Sequence, residues 1–247
     1  MMFNRKEKKK YTGWKQDLRT IVEGLLIALI IRSFIIQPFN IPSGSMYPTL
    51  VIGDYVFVTK YSYGYSRYSV PFGRYWLPDF GRAVEMSPTQ GDVSVFRVLN
   101  NDIDFIKRVV GMPGDTVQMR NGRLYINGKK LHRKRIADSI INDTSIATYI
   151  ETLPNGVKHK IWEADGDKSP YSDNTEEFTV PQEHYFMMGD NRDRSDDSRF
   201  PRVRFVAIDT FVGEAKFIGW SLGNASTWQV WKWYNQGTLK RLGKVID

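Results

Sequence analysis

Eleven Leu, Ile, Val or Phe residues crowd the stretch from Ile21 to Ile36, and the chain then meets Pro38. Nothing else in the sequence restricts the fold so strongly. Thr20 to Phe39 is about the length that crosses a bilayer core of roughly 30 Å. Glu23 and Arg32 interrupt the run. The apolar residues favour insertion by about 3–7 kcal/mol in total, against at most about 3.5 kcal/mol for a central Arg. Arg32 sits toward the outer end, where its stem can snorkel. Glu23 lies about 13.5 Å away along a helix and cannot neutralise it. Insertion prevails, and an anchor helix over residues 20–38 is expected, closed by Pro38. A buried helix of a soluble domain leaves the flanking charges unexplained. A cleavable leader shares the basic start and apolar centre. Here, however, Pro38-Phe39-Asn40-Ile41-Pro42 follows in place of a small-x-small site.

The net charge of +8 is unevenly spread, with +5 of it in residues 1–19. The remainder is an ordinary surface, which argues against a nucleic-acid partner. The basic segment reads as a cytoplasmic tail, because Lys and Arg beside a span stay inside. There is no Cys, which excludes thiol catalysis, disulfides and Cys-ligated metals. His132, His159 and His184 are scattered without ligand spacing. No metal and no cofactor are expected.

From Ile52 onward the pattern is β. Gly-Asp turns at 53–54, 91–92 and 114–115 each feed a β-rich stretch: Tyr55–Val58, Val93–Phe96 and Thr116–Met119. Arg120-Asn121-Gly122-Arg123 and Ile126-Asn127-Gly128-Lys129 are hairpin signals. The expected fold is mainly β: a coiled antiparallel, barrel-like catalytic domain over 39–128 and 181–227. Residues 61–88 read as an aromatic loop. Residues 129–180 read as an inserted small β subdomain. Residues 228–247 form an aromatic and basic tail, suited either to a membrane interface or to core packing.

Three segments carry chemistry. Ser45 lies in Pro42-Ser43-Gly44-Ser45-Met46, a turn whose Gly44 lets a hydroxyl project; turn chemistry alone also explains a Ser there. Pro48 occupies the third position after Ser45 and excludes a Ser-x-x-Lys pair. Lys107 lies in the apolar run Ile103–Val110, a half-buried strand on which Lys107 and Arg108 face opposite ways. A free Lys is neutral only about 0.04% of the time at pH 7. Apolar burial lowers its pKa by roughly 3–5 units and makes it a competent base. The alternative is a solvated lysine paired to an acid. Gly189-Asp190-Asn191-Arg192-Asp193-Arg194-Ser195-Asp196-Asp197-Ser198-Arg199 is a polar loop. Its cation-binding reading lacks the full calcium-loop pattern.

In order, spacing and content these segments resemble the bacterial type I signal peptidases, Ser-Lys proteases that remove signal peptides from exported proteins. The resemblance runs from the anchor to about residue 220. The microsomal relatives have His where Lys107 stands, so the match is to the bacterial branch. Insertions like 129–180 occur in the Gram-negative members. The resemblance implies Ser45 as nucleophile, Lys107 as base, and Ser43 with the Ser45 N–H as oxyanion hole. It implies Ser195 as the residue that orients the Lys amine, Asp197 and Arg199 as an ion pair, and Asp190 as partner of Arg108. A substrate groove would take in Phe39, Ile41, Pro42 and Ile106, with Met46, Leu50 and Phe105; the family often has Tyr in place of Phe105.

The implied function is cleavage of exported preproteins after Ala-x-Ala-like sites, through an acyl-enzyme. The implied location is a bacterial cytoplasmic membrane, crossed once, with the N-terminus inside and the catalytic domain periplasmic. The expected partners are preproteins and the lipid bilayer, and a monomer is the expected state. Rival readings are a self-cleaving Ser-Lys protease of related fold and an inactive membrane-tethered binding protein. The apolar run opposes the first, and the filled catalytic positions oppose the second.

Overall fold

The computed structural model describes residues 13–70, 73–98, 103–141, 143–167, 169, 172–222 and 241–246. Helix α1 (Trp14–Phe34) ends four residues before Pro38. The expected helix end at residue 38 is therefore corrected. Residues Ile36–Asn40 instead form β1, which pairs antiparallel with β2 (Asp54–Thr59), Ile36 opposite Thr59 and Asn40 opposite Tyr55. Pro38 is tolerated because β1 is an edge strand. Among the described residues no helix is long and apolar enough to cross a membrane. The cause is the shifted frame: α1 takes in Lys15, Asp17 and Arg19 at its start and gives up Ile35 and Ile36 at its end. Its apolar face, including Leu25, Leu26, Ile27 and Ile30, is exposed, and Ser33 is its buried residue.

The chain continues through β3 (Tyr65–Ser66) and β4 (Arg82–Ala83), a short pair within the aromatic loop. Then come β5 (Val93–Val98), β6 (Ile103–Gly111), β7 (Thr116–Arg120), β8 (Arg123–Ile126) and β9 (Lys129–Lys130). The inserted segment supplies β10 (His132–Arg135), β11 (Ser139–Ile141), β12 (Thr144–Thr152) and β13 (Lys158–Glu163). The last strands are β14 (Phe178–Thr179), β15 (His184–Met188), β16 (Val206–Ala207) and β17 (Phe211–Ser221).

The main sheet has the order β1-β2-β17-β5-β6-β15-β16, and every pairing in it is antiparallel. Among the described residues its path is open rather than closed into a barrel, since β1 and β16 do not pair with each other. A second sheet, β14-β7-β8-β9, shares an apolar core with β6 and β15 through Val117, Leu124, Phe178, Val110 and Phe186. Lys129–Lys130 and Phe178–Thr179 thus belong to this layer. The insertion's own sheet, β10 to β13, runs from His132 to Glu163.

Arg241–Ile246 returns to the main sheet. The Ile218 N–H donates to Lys244 O (2.8 Å), and Arg241 Nε donates to Asp54 Oδ1 (3.0 Å). Arg241 and Lys244 are therefore docked on the domain. Trp228, Trp231, Trp233 and Tyr234 lie outside the described residues.

Candidate active site

Ser45 sits in the loop between β1 and β2, which is pinned from both sides. Below it, Met46 and Leu50 are fully buried against Val56, Val58 and Val93. That removes both from the groove expected of them: they are floor, not wall. Above it, the Asn191 N–H donates to Ser45 O (3.1 Å) and Asn191 Nδ2 donates to Gly44 O (2.9 Å). Gly44 is required by packing as well, because a Cβ there would lie 2.5 Å from the Tyr47 ring. Tyr47 in turn stacks on Trp162 of β13, with ring centroids 4.9 Å apart.

Lys107 lies on β6 opposite Ser94 of β5. Its side chain is 4% exposed, and Nζ donates to Ser45 Oγ (2.7 Å) and to Ile106 O (3.0 Å). Burial pushes its pKa down from 10.5 to about 8, while Asp197, Asp196 and Asp190 keep it from falling further. Ser43 Oγ is 3.4 Å from Ser45 Oγ. These atoms open onto a cleft of about 410 Å³ lined by Phe39, Ile41, Pro42, Phe105 and Ile106. β5 pairs with β6 along Ile103–Arg108, whereas β15 joins β6 only from Arg108 onward. Among the described residues Ile103–Lys107 therefore keeps one open edge, and β1 keeps another.

Beneath the cleft lies a layer of buried ion pairs. Arg108, on the opposite face of β6, makes a two-pronged pair with Asp190, Nε to Oδ1 and Nη2 to Oδ2, both 2.8 Å. Burial raises the Asp190 pKa, but Arg108 outweighs it and the net shift is downward. Thr49 Oγ1 donates to the same carboxylate. Asp197 and Arg199 pair at 2.9 Å, and the Gly189 N–H donates to Asp197 Oδ2 (3.0 Å). The Asp197 pKa is likewise lowered, burial being overcome by Arg199. Ser195 is 7% exposed and its hydroxyl faces the Asp197 carboxylate, which it helps to keep ionised. It does not bond Lys107 Nζ here; it lies against Gly189, where an added Cβ would sit 2.2 Å from its Oγ.

Comparison with known proteins decides the family. The family model for signal peptidase, peptidase S26, matches residues 14–220. The chain belongs to the signal peptidase family. It is thus a serine protease that acts on signal-peptide-bearing preproteins. A signal peptidase I of Rickettsia typhi is 42% identical over 226 residues, covering 88% of this chain and 84% of its own. That of Rickettsia prowazekii is 41% identical, covering 84% and 80%. A solved signal peptidase I from Enterococcus faecalis V583 is 28% identical, covering 52% of this chain and 97% of its own, with a TM-score of 0.32.

Sequence reasoning missed the insertion's share in this signal peptidase site. Glu151 of β12 is buried in a pair with Arg192, Nη1 to Oε1 at 3.0 Å with a second, shorter contact. The Trp162 N–H donates to Asp190 O (2.9 Å). His159 is buried nearby, its pKa pushed down to about 3 by burial and by Arg108, so it stays neutral. The one available signal was a glutamate inside the β-rich run Thr144–Thr152, since a charged residue is rarely buried without a partner.

Proposed function

We propose that this chain is a membrane-anchored endopeptidase that cleaves exported preproteins after small-x-small sites through an acyl-enzyme. The observation that carries the reading is the 2.7 Å contact between Lys107 Nζ and Ser45 Oγ in a buried setting. Neutral Lys107 accepts the Ser45 proton as Oγ attacks the scissile carbonyl. The developing oxyanion takes hydrogen bonds from the Ser43 hydroxyl and the Ser45 N–H, which makes no other hydrogen bond among the described residues. The lysine then returns its proton to the leaving amine, and a water activated by the same amine hydrolyses the ester. Asp190, Arg108, Asp197 and Arg199 hold the loop that positions Ser45, and Ser195 fills the space beside Gly189. The substrate binds extended between the open edges of β1 and β6, alternate side chains facing Ile41 and Ile106. Larger residues at those positions meet packed walls, at a strain of about 1–3 kcal/mol.

Anchoring by α1 is supported by its exposed apolar face. From Thr20 to Phe34 it covers about 22 Å. Snorkelling of Arg19 and Arg32 and local thinning make up the difference from a core of about 30 Å. The basic tail stays cytoplasmic and the β domain faces the other side. Purified protein should cleave a preprotein in detergent, and Ser45→Ala should not. Turnover by that variant, free of other peptidases, refutes the assignment. A preprotein series with Ala, Leu, Phe or Lys before the cut tests the pockets; equal kcat/KM across it contradicts them.

A further inference from the structure

Lys60 is the second deeply buried lysine, and the proposed mechanism does not use it. It is 1% exposed. Among the described residues its Nζ makes no hydrogen bond or ion pair, and it lies 5.9 Å from the centre of the Phe39 ring. It lines a cavity of about 440 Å³ between the outer end of α1 and β1, with Leu29, Arg32, Gln37 and Arg97 on the walls. The cavity shares Phe39 and Asp104 with the substrate cleft.

The charge balance there is positive. Arg97 and Asp104 neutralise each other through contacts of 2.6 and 3.0 Å. Arg67 is held by Asp79 at 2.9 Å. That leaves Lys60 and Arg32, neither with an ion pair among the described residues. Burial lowers the Lys60 pKa to about 7; Asp104 opposes the shift, and Arg32, Arg97 and Arg82 add to it. A buried ammonium without an acceptor is costly, and a second cation facing the same space adds repulsion. An anion in the cavity would relieve both.

We propose that this cavity is a binding site for a phosphate group, with Lys60 and Arg32 as its cations. Lysine is a compact point charge suited to phosphate oxygens. Arg32 stands at the end of α1, where a snorkelling side chain reaches the headgroups of a bilayer. The assignment rests on the membrane reading of α1 for its source, a phospholipid headgroup, and on the cavity's own charges for its chemistry.

The test is calorimetric titration of the full chain in detergent with two probes, inorganic phosphate and short-chain phosphatidylglycerol. Saturable binding is expected, screened by salt. Both Lys60→Met and Arg32→Gln should weaken it about tenfold or more, the worth of one charge-assisted hydrogen bond. Arg32 is exposed, so its variant keeps the test decisive if the buried substitution unfolds the domain. Competition between the probes assigns the site to phosphate in general; lipid binding without competition assigns it to the headgroup. No saturable binding of either probe, or equal affinities in wild type and both variants, overturns the proposal. Flotation on phosphatidylcholine vesicles tests the anchor separately. Flotation without phosphate binding refutes only the site, and binding without flotation refutes only the anchor.

Discussion

Lys107 and Lys60 are buried to nearly the same degree, 4% and 1% exposed, and burial lowers their pKa values to about 8 and about 7. If a depressed pKa made a catalytic base, Lys60 would be the better one. It faces a cavity with no hydroxyl on its Nζ, whereas Lys107 meets Ser45 Oγ at 2.7 Å. Burial sets how often the amine is neutral; strand register and loop docking decide whether that matters. Lys107 acquires its partner because β6 faces the Ser45 loop while Asn191 ties that loop down from the other side.

The sharpest way to break this comparison is to exchange each lysine for methionine, which matches its length without its charge. Lys107→Met should lose about four orders of magnitude or more in kcat/KM, as should Ser45→Ala, while Lys60→Met keeps measurable turnover. Comparable losses at both lysines contradict the distinction.

Next in size is the ion-pair layer. Asp190→Ala leaves the Arg108 guanidinium fully buried without its carboxylate, which should cost about 3–5 kcal/mol in a denaturant titration. Arg194 and Asp165 form an exposed pair, and Asp165→Ala should leave the denaturation midpoint in place. A small shift for Asp190→Ala would show that the layer is not closed to water.

The insertion gives the smallest effect. Trp162→Ala removes the ring that stacks on Tyr47. It should lower kcat by up to about a hundredfold, with little change in KM, because it disturbs position rather than binding. Trp162→Phe should recover most of the loss. A change in KM alone would place Trp162 at the substrate and not behind the nucleophile.

Local signals carried far in this chain. The Gly-Asp turns place β2, β5 and β7, because a glycine turn before alternating apolar residues leaves little choice of structure. The run Ile103–Val110 lies within β6, as its apolar residues implied. Pro38 misled, since a proline ends a helix and is equally at home on an edge strand; pairing with β2 decided between them. Met46 and Leu50 were expected at the groove by resemblance. The turn instead folds them under, into the core with Val56 and Val58. Beyond the strand glutamate at Glu151, the roles of Glu151, His159 and Trp162 were not legible, because they reach the site across more than a hundred residues of chain from Ser45.

The pH dependence of kcat/KM, with the chemical step shown to be rate-limiting, tests the Lys107 assignment most directly. The active form has Lys107 neutral, so activity should fall about tenfold per unit below the folded pKa and level off above it. With that pKa lowered from 10.5 to about 8 by burial, the rising limb should turn over near pH 8. A limb that turns over near 10, or a profile flat between about 6 and 9, would mean that no buried, deprotonating lysine drives the reaction.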